Sequence, residues 1–125
     1  MNQVPPIVSA SVLSPVQSTG DTDAQLASLR RSILACAEPM VALSTEHLHP
    51  DTRLRLAKGA LSVVTYPNEY GGFVYVGTEG GNTPSEPELA AIFEVVRDAD
   101  IVWIKFDRDT PVVEGLPTFE DPPWV

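Results

Sequence analysis

Residues 85–109 read SEPELAAIFEVVRDADIVWIKFDRD, and this stretch sets the fold. Leu89, Ile92, Phe93 and Val96 stand at i, i+3, i+4 and i+7, one face of a helix. Ser85 with Glu88 three residues on forms a capping-box start, which predicts a helix over Ser85–Arg97. Asp98–Asp100 ends it. Ile101–Ile104 is a continuous apolar run, predicting a strand over Ile101–Phe106 that is covered on both faces. The helix must bury its stripe, and this strand is the nearest surface to bury it on.

Upstream, Ala60–Tyr66 and Phe73–Gly77 are rich in Val and aromatics, and PNEYGG joins them, so a hairpin is expected. Thr78–Pro84 has no apolar residue and predicts an exposed, mobile loop. Met40–Leu43 predicts a short buried strand. Pro50 is placed to start a second helix, with Asp51 in its first turn, Leu54 and Ala57 facing inward and Gly59 as the stop. Leu56 does not fit that stripe. Thr22 and Gln25 form a T-x-x-Q box opening an earlier helix, with Leu26, Leu29, Ile33 and Ala37 as its buried stripe, stopped by Pro39. Residues 1–20 are uncharged and rich in Pro, Ser and Val. They read as a flexible segment, with Ile7–Leu13 as a candidate edge strand. Residues 110–125 are a Pro-rich tail that Val112, Val113, Leu116, Phe119 and Trp124 can staple to the body.

The element order is β-α-β-α-β-β-α-β. It predicts an α+β two-layer sandwich, a mixed sheet of four to five strands with about three helices, formed as one domain over residues 21–125. Composition agrees with a globular chain: 43% of the 125 residues are hydrophobic, enough for a core. No apolar run reaches the roughly 18 residues of a membrane span, and no basic segment opens the chain, so neither a membrane nor a secretory signal is expected. The lone Cys36 reads as a small buried hydrophobe in a reducing cytoplasm.

Charge is uneven. Residues 1–60 carry five acids and five bases, while residues 61–125 carry twelve acids against Arg97, Lys105 and Arg108, so the whole net charge of −9 lies in the second half. That disfavours direct nucleic-acid binding, which needs cations to meet phosphates. It suits a basic protein partner, a DNA-binding one included, met by an acidic surface of Glu69, Glu79, Glu86, Glu88, Asp98 and Asp100.

His47-Leu48-His49 with Asp51 resembles the start of an H-x-H-x-D-H metal site, but Thr52 stands where the last histidine belongs. These are the only two histidines, so a metal-assisted hydrolase needs Asp107 and Asp109 to complete its ligands. The plainer reading makes Thr45 and His49 polar loop residues that help cap the second helix. Asp107-Arg108-Asp109-Thr110 is one residue short of the D-x-D-x-T of haloacid-dehalogenase-like phosphatases, and too little chain follows it for that family's other residues. Gly71-Gly72 and Gly80-Gly81 open no phosphate loop. Tyr66, Tyr70, Phe73 and Tyr75 read as cross-strand packing, with Tyr70 suited to a protein interface. No cofactor is implied.

Three segments, LSTEHLHPDT (43–52), YGGFVYV (70–76) and WIKFDRDTPVVEGLPTF (103–119), resemble a family of small uncharacterised bacterial proteins often carried on proteobacterial integrative and conjugative elements or plasmids. The resemblance implies a bacterial cytoplasmic setting and carries no activity. It points to Ser44, Thr45, His47, Asp107, Arg108, Asp109, Gly115 and Pro117 as the positions to inspect. The resulting expectation is a non-enzymatic, acidic accessory protein that binds another protein, its leading variant a host-interaction or defence-evasion factor. The rivals are the metal-assisted hydrolase of His47, His49, Asp107 and Asp109, and a structural subunit with an apolar patch round Tyr66, Tyr70 and Trp124. A last expectation is that Asp107 or Asp109 bonds to the Ser44–His49 loop and so joins two of the three segments.

Overall fold

The computed structural model describes residues 19–120, with side chains from residue 22 onward. The candidate edge strand over Ile7–Leu13 and the staple at Trp124 fall outside the described residues. The chain divides into two compact units between Ala37 and Glu38.

The first unit holds helix α1, Thr19–Ala35. It starts three residues before Thr22, so the T-x-x-Q box does not cap it, and Gln25 Oε1 has no hydrogen-bond partner. The expected buried stripe is absent: Leu26, Leu29, Ile33 and Leu34 are exposed, and so is Cys36. Among the described residues this unit has no second element, and a helix buries a stripe only against another layer. The helix ends in a tight turn, with Cys36 N donating to Ile33 O and Ala37 N to Leu34 O, ahead of the break expected at Pro39.

The second unit is the α+β sandwich. Its elements are β1 (Met40–Leu43), a 3₁₀ turn (Thr45–His47), α2 (Pro50–Ala57), β2 (Thr65–Asn68), β3 (Gly71–Tyr75), α3 (Pro87–Asp98) and β4 (Trp103–Asp107). The four strands form one mixed sheet in the order β1-β4-β3-β2. β1 runs parallel to β4, whereas β3 is antiparallel to both β4 and β2. Residues 85–109 thus supply a central strand and the helix packed on it.

One face of the sheet makes the core. Leu43, Val74, Ile104 and Phe106 meet Leu56 of α2 and Leu89, Ile92, Phe93 and Val96 of α3, with Leu48, Leu61, Val63 and Val76 closing the sides. Fully burying side chains of this size stabilises the fold by roughly 1.5–3 kcal/mol each. β4 is not covered on both faces as its apolar run suggested. Its burial alternates, with Ile104 and Phe106 buried and Trp103, Lys105 and Asp107 half-exposed. Within this unit only β4's inner side meets helices, because the alternation of a strand sends every second residue to the opposite face.

α2 also presents a different side from the one expected. Leu54 and Ala57 are exposed, and Thr52 and Leu56, one turn apart, are buried. The helix starts at Pro50 with no side-chain cap, so neither Thr45 nor His49 caps it by its side chain. Both helices end in the same device, a Schellman motif. In α2, Gly59 takes the left-handed position at φ +65°, with Ala60 N donating to Arg55 O and Gly59 N to Leu56 O. In α3, Asp100 takes it at φ +59°, with Ile101 N donating to Val96 O and Asp100 N to Arg97 O. The start of α3 differs from the predicted capping box: Glu86 is the cap residue and makes no side-chain cap bond, while Glu88 turns away to accept from His49 N at 2.8 Å.

The hairpin is tighter than its composition suggested. Asn68 pairs with Gly71, leaving Glu69 and Tyr70 as the turn, and Ala60–Val64 is not strand. Pro67 is tolerated because β2 is an edge. Gly71 and Gly72 serve close approach of backbones: a Cβ on Gly71 would lie 2.1 Å from Phe106 O. The loop after β3 is tied rather than loose. Asn82 Nδ2 donates to Tyr75 O and Val76 O, and Arg97 donates to Asn82 O while lying over the Phe93 ring.

Candidate functional site

The positions singled out in the sequence separate into a structural clasp and an open surface. The clasp centres on His47, which is buried. Its Nε2 accepts from Val113 N at 3.0 Å, so the proton sits on Nδ1, which donates to Pro117 O at 2.8 Å. Arg53 strengthens the same junction. Its Nε donates to Thr45 O and Leu48 O, and its terminal nitrogen to Phe119 O. Phe119 N donates to Glu46 O at 2.8 Å, and the Phe119 ring lies against His49 with centroids 3.7 Å apart. Residues 108–120 therefore form a strap across the 44–53 segment, with Leu116 packed on the core and Gly115 turning the chain at φ +99°. Ser44 is buried and accepts from Glu46 N, which sets the 3₁₀ turn that aims His47.

The strap joins the two segments that Asp107 or Asp109 was expected to join, but neither aspartate does it. β4 ends at Asp107, and the chain turns there, Thr110 N donating to Asp107 O. Asp107 Oδ1 is satisfied locally by Asp109 N at 2.8 Å, an Asx turn, and its other oxygen lies 3.9 Å from Lys105 Nζ. Arg108 lies over the Tyr70 ring, 5.4 Å from its centroid, and its N–H donates to Tyr70 O. The extended geometry behind the expected bond does not exist past residue 107.

The hydrolase constellation is not assembled. His47 spends both ring nitrogens on backbone and His49 stacks on Phe119. Among the described residues no three His, Cys, Asp or Glu side chains gather where one metal ion could bind.

The expected acidic surface needs two corrections. Glu86 is buried, not a surface acid. It accepts from Ser62 N and Ser62 Oγ and lies 3.7 Å from the Arg55 guanidinium. Burial pushes its carboxyl upward, but the Ser62 bonds, its own backbone and Arg55 together outweigh this and hold it below the usual value. Glu88 is half-buried, with one oxygen on His49 N and the other, Oε1, buried without a partner. Glu69, Glu79, Asp98 and Asp100 are exposed as expected.

The surface that sequence reasoning missed is the outer face of the sheet. Register pairs share a face, so Met40 and Trp103, Trp103 and Tyr75, Phe73 and Lys105, and Tyr66 and Phe73 all point away from the core. Tyr75 packs edge-on to Trp103 with centroids 4.9 Å apart, and Tyr66 lies 6.2 Å from it. Tyr66 is 57% exposed and Met40 51%. Glu38 stands at the border, where its Oε1 accepts from Trp103 Nε1 at 2.8 Å. The pairing of Tyr66 with Phe73 was legible as cross-strand packing. That Trp103 joins them required the register of β4.

Helices seal one side of this sheet, the other shows an aromatic face, and a C-terminal strap clasps the first loop. The class this defines is a small α+β domain with an open sheet surface. The chain belongs to DUF5983, a family of unknown function: residues 40–121, from the first residue of β1 to just past the strap, match the family's C-terminal domain. No curated protein and no solved structure matches the chain. Among the described residues, no helix is long and apolar enough to cross a membrane.

Proposed function

We propose that this protein is a non-enzymatic accessory factor that works by binding another protein through the outer face of its sheet. The observation that carries this reading is the asymmetry of the sheet. Its inner face is sealed, while its outer face leaves Trp103, Tyr66, Phe73, Tyr75 and Met40 as a contiguous aromatic surface. Aromatic residues and Met are enriched where proteins bind one another, and connected apolar patches on a monomer mark such sites. The acidic balance of residues 61–125 adds long-range attraction for a basic partner. His47, singled out in the sequence, positions and stiffens the domain together with Arg53 and the strap. In this reading the protein acts in the bacterial cytoplasm, on behalf of a mobile element, in host interaction or defence evasion.

The test compares capture of partners from a bacterial lysate by the wild-type chain, by Tyr66→Arg on the open face and by Val95→Arg on the exposed side of α3. A protein retained by wild type and Val95→Arg but lost by Tyr66→Arg supports the face. Equal capture by all three overturns it. Retention that weakens as salt rises supports the electrostatic part.

A further inference from the structure

We infer that the outer sheet face takes a cationic side chain of its protein partner, an arginine guanidinium, against Trp103 and Tyr66 beside the Glu38 carboxylate. This rests on the interaction reading above and names the chemistry that the surface recognises.

Glu38, Met40, Tyr66, Phe73 and Trp103 line one open depression of about 430 Å³. Tyr66 and Trp103 meet in it with rings tilted by 39°. The faces of aromatic rings carry partial negative charge and attract cations, with Trp the strongest of them. The carboxylate is fixed in place, because Trp103 donates its indole N–H to Glu38 Oε1. That bond uses the edge of the indole and leaves its faces out of the bond. Among the described residues Glu38 makes no ion pair, and its second oxygen accepts no hydrogen bond.

An apolar occupant would strip water from Glu38 and return nothing, which is costly for a charge. An anion would meet the carboxylate and the ring faces, both repulsive. A cation satisfies both. A guanidinium fits better than an ammonium. It is planar, stacks on rings and donates in a fork that matches a carboxylate, while its alkyl stem can lie along Met40 and Phe73. Lys105 is the cation this face itself carries. It is drawn toward Asp107 at 3.9 Å and does not line the depression. The excess of twelve acids over three bases in residues 61–125 brings a basic segment to the surface, and the depression gives it a seat.

The test uses the full chain carrying Trp124→Phe, so that Trp103 is the one indole that reports. Its fluorescence is titrated with a short Gly-Arg repeat peptide, with the same peptide in Lys, and with its citrulline analogue, which keeps the shape of arginine and lacks the charge. The Arg peptide is expected to change Trp103 emission and saturate, the Lys peptide to bind more weakly, and the citrulline peptide to fail in the same range. Glu38→Gln and Tyr66→Ala should each weaken the Arg peptide by roughly three- to tenfold, with circular dichroism confirming the fold. Glu79→Gln, an exposed acid that does not line this depression, should weaken it by less than about twofold. The inference is overturned if the citrulline peptide binds as well as the Arg peptide, or if Glu38→Gln does no more than Glu79→Gln. Should that happen while Tyr66→Arg still abolishes partner capture, the partner docks by apolar contact and only this inference is lost. Should capture ignore Tyr66→Arg, the interaction reading itself fails.

Discussion

Removing His47 is expected to release the C-terminal strap. The imidazole is 1% exposed and links three backbone regions, its own 3₁₀ turn, Val113 N and Pro117 O. Each hydrogen bond contributes roughly 0.5–1.5 kcal/mol net, so deleting both costs about 1–3 kcal/mol. The larger penalty for stranded buried partners does not apply in full. Val113 and Pro117 are exposed residues, and water can reach their backbone once the strap lifts. At about 4–8 °C per kcal/mol for a domain of this size, His47→Ala should lower the melting temperature by roughly 10 °C. His47→Phe fills similar volume but makes neither bond, so the difference between the two variants isolates packing from hydrogen bonding. Amide hydrogen exchange gives the local readout: the Val113 and Phe119 amides should lose protection while those of β3 and β4 keep theirs. Asp107→Asn is the contrast. Its one backbone bond is local, to Asp109 N, and an asparagine oxygen can accept it equally well. Its melting temperature should stay within a degree or two of wild type, since a long, half-exposed ion pair such as Lys105–Asp107, 3.9 Å apart, contributes little. A His47→Ala protein that melts with wild type and keeps its Val113 amide protected would refute the clasp.

Two further outcomes follow from the packing and the charges. Gly71→Ala puts a methyl 2.1 Å from Phe106 O, a backbone atom that cannot turn aside, so β3 must separate from β4. The expected loss is about 2–3 kcal/mol or more, and thermal melting with an unchanged midpoint would count against the pairing of Gly71 with Asp107. Glu86 has a carboxyl held below its ordinary value of 4.5, so its contribution to stability is complete above that pH and fades as the pH falls through the lower, folded-state value. Glu86→Gln should therefore be less stable than wild type at neutral pH, with the gap in urea midpoints closing in acid; a gap that widens in acid would show the sign to be wrong.

The sequence by itself determined the elements of the sandwich. The stripe Leu89, Ile92, Phe93 and Val96, the Pro50 start and Gly59 stop of α2, and the apolar core of β4 are written in local spacing and local backbone preference, which need no partner to be read. The β-α-β-β-α-β run of the sandwich followed from that order. Tertiary structure alone decided which side of each element meets the core. Leu54 and Leu56 of α2 are both leucines, and only the placement of the helix over Gly72 buries the second. Ile101–Ile104 looked covered on both faces because Trp103 is apolar, yet it stands on the side that no helix of the sandwich reaches. The charged residues misled for the same reason. Glu86 and Glu88 are indistinguishable in sequence from Glu69 and Glu79, yet Glu86 goes inside because Ser62, 24 residues away, and Arg55 satisfy it there, and Glu88 is drawn halfway in by the His49 amide, 39 residues away, which takes one of its two oxygens. His47 was singled out for a metal and serves a strap some 66 to 70 residues along the chain. Periodicity is a property of neighbours in sequence, whereas register, burial and hydrogen-bond partnership are set by which distant segments the sheet brings together, and only the folded chain holds that information.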